Sequence, residues 1–134
     1  MVSTPPPVPE TPANEQFHSD RHLPERIASL GGGHGLFQTL KAARRLGAEH
    51  ISAIVTVADD GGSSGRLRKE FDMIPPGDLR MALVALSVSD SEEAKFWEQT
   101  LQHRFGGSGA LAGHALGNLL ITALKEILGQ EQAA

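Results

Sequence analysis

Ile27-Ala28-Ser29-Leu30 runs directly into Gly31-Gly32-Gly33-His34-Gly35, after which Leu36, Leu40, Ala43 and Leu46 recur on one helical face. This order predicts a strand, a glycine turn and a helix. Gly47 follows as a left-handed cap, and Ile51-Ser52-Ala53-Ile54-Val55-Thr56-Val57 then gives a β-branched run suited to a buried parallel strand. The three pieces make a βαβ unit, whose crossover is right-handed on nearly all precedent.

Downstream, Asp59-Asp60-Gly61-Gly62-Ser63-Ser64-Gly65-Arg66 is too polar and glycine-rich to prolong the strand, so it is expected as a loop at the strand's carboxyl end. Pro75-Pro76-Gly77 makes a rigid turn and Asp78 is placed to cap the next helix, which is apolar almost all round from Leu79 to Leu86 and is expected to be buried. Asp90 with Glu93 predicts a capping box for a helix carrying Ala94, Trp97, Leu101 and Phe105 on one face, with Trp97 in the core. A last helix, from about His114 to Leu128, should turn Leu116, Leu119, Leu120, Ala123, Leu124 and Ile127 inward and leave His114, Asn118 and Thr122 as a polar stripe.

Two strands and about four helices fall short of the ~4 to 6 strands usual in open sheets. The fold expected is therefore α/β with a parallel sheet, truncated after its first βαβ unit and the helices that follow. Residues 1–25, with Pro5, Pro6, Pro7, Pro9 and Pro12, carry too few large apolar groups to order themselves and are expected to form a disordered tail. Residues 26–129 form the domain, and 130–134 are expected to be a disordered end.

The 134 residues hold 16 acidic and 12 basic side chains, a formal charge of −4, which argues against a general nucleic-acid or anionic-membrane binder. The sequence contains no apolar run of the ~18 residues that membrane insertion needs. Cysteine is absent, which excludes disulfides and thiolate chemistry and fits a reducing, cytoplasmic setting.

Chemistry must then come from oxygen, imidazole or backbone groups. A glycine turn between strand and helix lets backbone N–H groups approach a phosphate, although the dinucleotide pattern is only partly met because Leu36 stands where a third glycine belongs. A tight turn with no ligand explains the same residues. Asp59 and Asp60 follow a strand end, where carboxylates can hold Mg²⁺, act as a base or accept from a hydroxyl, or simply form a solvated turn. Ser63, Ser64 and Gly65 add donors, and Arg66, Arg68 and Lys69 bring positive charge close by. His114 and Asn118 are one helical turn apart and can point at one object. No Gly-Lys-Ser/Thr is present, which argues against a P-loop ATPase.

Four ordered segments, Gly31 to Leu36, Thr56 to Arg68, Pro75 to Arg80 and Ala112 to Leu119, closely resemble the gluconeogenesis factor family (YvcK-like), which is related to the 2-phospho-L-lactate transferases (CofD-like) of coenzyme F420 biosynthesis. The resemblance implies a Rossmann-like three-layer arrangement and a cytoplasmic regulator that binds a UDP-sugar, UDP-N-acetylglucosamine, and supports cell-wall synthesis and cell shape under gluconeogenic growth. In that reading Gly32, Gly33, His34 and Gly35 surround the pyrophosphate, Ser63, Ser64 and Gly65 supply donors, and Asn118 orients the base or sugar. The transferase relatives imply the alternative, a metal-dependent transfer in which Asp59 and Asp60 bind Mg²⁺; no tightly bound organic cofactor is expected. A homo-oligomer is left open, and no residue specifies the cell-wall synthesis partner.

Overall fold

The computed structural model describes residues 25–87 and 91–129. Its elements run β1 (Arg26–Gly31), α1 (Gly33–Arg45), β2 (His50–Val55), α2 (Gly62–Phe71), α3 (Pro76–Ser87), α4 (Glu92–Gln102) and α5 (Leu116–Leu128). The expectations for the proline-rich segment and for residues 130–134 fall outside the described residues, apart from Glu25 at the domain's edge.

The two strands pair in parallel, Arg26 opposite His50 through Gly31 opposite Val55. The α/β class and the parallel sheet are as the sequence led us to expect. Alternation along the strands turns Ile51, Ala53 and Val55 towards a core built from Leu36, Phe37 and Leu40 of α1 and Met81, Ala82, Val84 and Ala85 of α3. The opposite face is bare among the described residues: Leu30 is 79% exposed and its register partner Ile54 is 56% exposed. The second strand stops at Val55, two residues earlier than expected, and Val57 lies exposed.

Helix α1 ends as the sequence indicates. Gly47 takes φ +76°, its N–H donates to Arg44 O, and the N–H of Ala48 reaches back to Ala43 O, the paired bonds of a Schellman cap. Helix α3 is less enclosed than its composition suggests, since Leu83 points outward.

Three helical expectations need correction. The glycine–serine stretch expected as a loop is the first half of α2, which makes five helices rather than about four. Helix α4 stops at Gln102, before Phe105, because the chain turns there into a bridge: Phe105 N–H donates to His114 O and Leu116 N–H to His103 O. Its cap is Ser91, whose Oγ accepts from Ala94 N–H at 3.2 Å, while Asp90 lies outside the described residues. With no residue of α4 fully buried, Trp97 is half exposed and meets Phe96 edge-on instead of entering the core.

The third correction decides the site. Helix α5 faces the opposite way from the expectation: Asn118, Ile121 and Thr122 are buried, whereas Leu120, Leu124 and Ile127 are exposed. The polar stripe points inward because α3 and α2 offer it polar partners.

Candidate functional site

Beyond β2 the chain does not wander before the next helix. Thr56 N–H donates to Gly31 O, and Asp59 Oδ1 accepts the N–H of Gly61 at 2.9 Å, an aspartate turn that delivers the chain straight into α2. Leu67 anchors that helix in the core, and Ser63, Ser64 and Gly65 lie on its buried side. The neighbouring carboxylates are thereby separated. Asp59 is half-buried, while Asp60 turns outward and pairs with Arg68.

Pro76 begins α3, where a missing N–H is harmless and its fixed φ suits the first turn. Asp78, expected to cap its own helix, instead crosses to α1 and accepts the backbone N–H of Gly33 at 2.9 Å. The close approach explains two glycines. A Cβ on Gly32 would strike the Asp78 carboxylate and Thr56, and Gly33 itself sits at φ +54°. One N–H of the glycine turn is therefore already bound to an anion of the protein's own.

Beneath this lies a buried polar chain. Arg80 Nε donates to Asn118 Oδ1 at 2.9 Å, Asn118 Nδ2 donates to Ser63 Oγ at 3.0 Å, and Ser63 Oγ pairs with His114 Nδ1 at 3.0 Å. An arginine has only donors, so it fixes the amide orientation of Asn118 and hence the donor direction towards Ser63. Thr122 Oγ1 donates to Asn118 O. Burial, with Arg66 adding, holds the His114 pKa below the ordinary imidazole value against the opposing pull of Glu70. Burial and Arg104 lower the Arg80 pKa, and Asp59 and Asp78 oppose them. Arg80 is 7% exposed, yet its Nη1 has no hydrogen-bond partner, and among the described residues no carboxylate comes within 4.0 Å of its guanidinium.

Of these groups, Ser63, Arg80 and Asn118 line a cavity of about 480 Å³ just beyond the carboxyl ends of the strands, where open α/β sheets bind ligands. Of the residues expected at the site, Gly33, His34, Asp59, Ser63, Ser64 and Asn118 line it, whereas Gly32, Gly35, Asp60 and Gly65 do not. Asn118 is committed at both ends of its amide, so it braces Arg80 and Ser63 rather than presenting a free edge. Asp78, Arg80, Gln102 and Arg104 also line the cavity and were not among the expected site residues. Asp78 and Arg80 carried a signal, their place just after the double proline, but a helix cap seemed a sufficient account of the aspartate.

A parallel α/β chain with a polar cleft at its strand ends is the class these features define. The family profile described as 2-phospho-L-lactate transferase CofD matches residues 27–134, and the chain belongs to that family. It is 62% identical over 112 residues to a Mycobacterium tuberculosis protein named "Putative gluconeogenesis factor" and 50% identical over 105 residues to the "Gluconeogenesis factor" of Halalkalibacterium halodurans. Those matches take in 84% and 78% of this chain but 32% and 31% of the relatives, so the chain spans about a third of their length. A crystal structure of a UPF0052 family protein from Bacillus halodurans superposes with a TM-score of 0.64 at 48% identity, covering 78% of this chain and 32% of that one.

Proposed function

We propose that the cleft forms the phosphate-facing part of a nucleotide-sugar site, with a UDP-sugar such as UDP-N-acetylglucosamine as ligand. The chain then acts as a cytoplasmic regulator of cell-wall synthesis and cell shape under gluconeogenic growth. The observation that carries this reading is the opening of the start of α2, at Gly62, Ser63 and Ser64, onto the cavity at the strand ends. Helix starts favour anions through their unpaired N–H groups and dipoles. The relatives' name, gluconeogenesis factor, supports the link to gluconeogenic growth.

Titration calorimetry with UDP-N-acetylglucosamine, UDP-glucose and UMP tests it. The sugar nucleotides should bind more tightly than UMP. Equal heats for all three, or none, would count against a nucleotide-sugar site.

The second reading, a metal-dependent transferase, draws on Asp59 and on the family itself. Mg²⁺ is commonly held by one or two carboxylates together with substrate phosphates. Asp59 fits that demand, since Gly61 engages only its Oδ1, whereas Asp60 is held by Arg68 and does not line the cavity. Bound there, the ion would neutralise phosphate charge, and Asp59 would hold it. Turnover of activated phospholactate with a deazaflavin alcohol in millimolar magnesium, absent in Asp59→Asn, would favour this reading over a regulator.

A further inference from the structure

We propose that Arg80, together with the unpaired N–H groups at the start of α2, grips the phosphoryl group of the ligand, and that the glycine turn before α1 does not. The proposal rests on the phosphorylated-ligand reading above and says which wall of the cleft receives the charge.

Gly33 N–H donates to the Asp78 carboxylate, so a phosphoryl group on that turn would meet a fixed negative charge and lose a donor. Helix α2 also begins beside a carboxylate, but Asp59 Oδ1 takes the N–H of Gly61 ahead of the helix, so the helix's own first N–H groups, those of Gly62, Ser63 and Ser64, keep no intrahelical acceptor.

Arg80 is the independent observation. It is 7% exposed, lines the same cavity as Ser63 and Ser64, and keeps Nη1 without an acceptor. A buried cation that no carboxylate contacts, with Asp59 and Asp78 acting on it only from a distance, gains from an anion that reaches it. Asn118 holds Nε and so fixes the plane of the guanidinium, whose fork matches two phosphoryl oxygens. Asn118 is thus a positioning residue, and the apolar face of α5 points outward because this duty turns the polar face in.

The test uses the 134-residue chain with sodium pyrophosphate and UDP-N-acetylglucosamine as separate probes, read by calorimetry and by the Nε–Hε resonance of Arg80 in ¹⁵N-labelled protein. Pyrophosphate should shift the Arg80 resonance. Arg80→Gln should weaken both probes at least tenfold, and Arg80→Lys should weaken them less. An Arg80→Gln protein that is folded and binds pyrophosphate as the wild type does would overturn the assignment. So would a wild-type titration that moves the Gly33 amide and leaves Arg80 still, which decides the matter even where the variant does not fold. Binding of pyrophosphate but not of the sugar nucleotide, lost in Arg80→Gln, sinks the nucleotide-sugar reading and keeps the anion site. Equal binding of UDP-N-acetylglucosamine by wild type and Arg80→Gln does the reverse. No response to either probe at millimolar concentration removes both.

Discussion

The carboxylate of Asp78 and the backbone N–H of Gly33 meet at 2.9 Å across 45 residues of chain, tying the start of α3 to the start of α1. This bond gives the two helix starts at the cleft different characters. At α1 the carboxylate takes the helix's own first N–H, whereas at α2 Asp59 takes only the N–H of Gly61 ahead of the helix, and the buried guanidinium of Arg80 lines the same cavity.

Removing that carboxylate should loosen the junction. Asp78→Ala leaves a part-buried N–H without its charged acceptor, and hydrogen bonds to charged groups contribute about 1.5–3 kcal/mol. We expect a loss of about 1–3 kcal/mol in urea unfolding, and a smaller one for Asp78→Asn, which keeps a neutral acceptor. Identical urea midpoints for wild type and Asp78→Ala would show that the bond contributes nothing.

Asn118 is 1% exposed and joins Arg80 to Ser63, so its truncation strands two groups at once. Each unsatisfied buried polar group costs about 1–3 kcal/mol. Asn118→Ala should therefore destabilise by about 2–4 kcal/mol, well beyond Thr122→Val, which gives up the hydroxyl bonded to Asn118 O. A double-mutant cycle between Asn118→Ala and Arg80→Gln should show coupling above about 0.5 kcal/mol, the usual limit for independent sites. Additive effects would mean that the two side chains only neighbour each other.

The βαβ unit was legible because each of its signals is local: an alternating strand, a glycine turn, an amphipathic face from Leu36 to Ala43 and a glycine stop at Gly47. The α2 start was not, because glycine and serine carry low helix propensity and the device that begins the helix is the side chain of Asp59. Helix α5 shows a deeper limit. Its periodicity separates a leucine face from the His114, Asn118 and Thr122 face, but which one points inward depends on what the neighbours offer, and those are Arg80, Ser63 and Met73 from distant parts of the chain. For the same reason sequence reading brought Asn118 to the site and left out Arg80, whose buried nitrogen without a partner is visible only after folding.

His114 gives a pH dependence with a definite sign. Its folded pKa lies below the ordinary value of 6.5, chiefly through burial, so the unfolded chain binds this proton more readily than the folded one. The stability linked to the neutral imidazole is fully present above about 6.5 and is lost as pH falls from there through the lower folded value. His114→Asn, which keeps an acceptor near Ser63 Oγ, should flatten the fall in urea midpoint below pH 6.5 relative to wild type. Parallel curves for the two proteins would assign the pH dependence to other groups.

The bare face of the sheet yields the last expectation. Leu30 and Ile54 are register partners, 79% and 56% exposed, and none of the described helices covers them. Contiguous apolar surface of this kind marks a contact site or an aggregation liability, and a two-stranded sheet adds open edges to it. If solvent is what these side chains meet, replacing both by threonine removes little burial and places a β-branched residue at each position. The double variant Leu30→Thr, Ile54→Thr should bind less of an environment-sensitive apolar dye and aggregate less on warming. Its urea stability should stay within about 0.5 kcal/mol of wild type, as for ordinary surface substitutions. A loss of several kcal/mol with dye binding unchanged would mean instead that this face is packed in solution, and a protomer-concentration dependence of that loss would identify a second copy as what covers it.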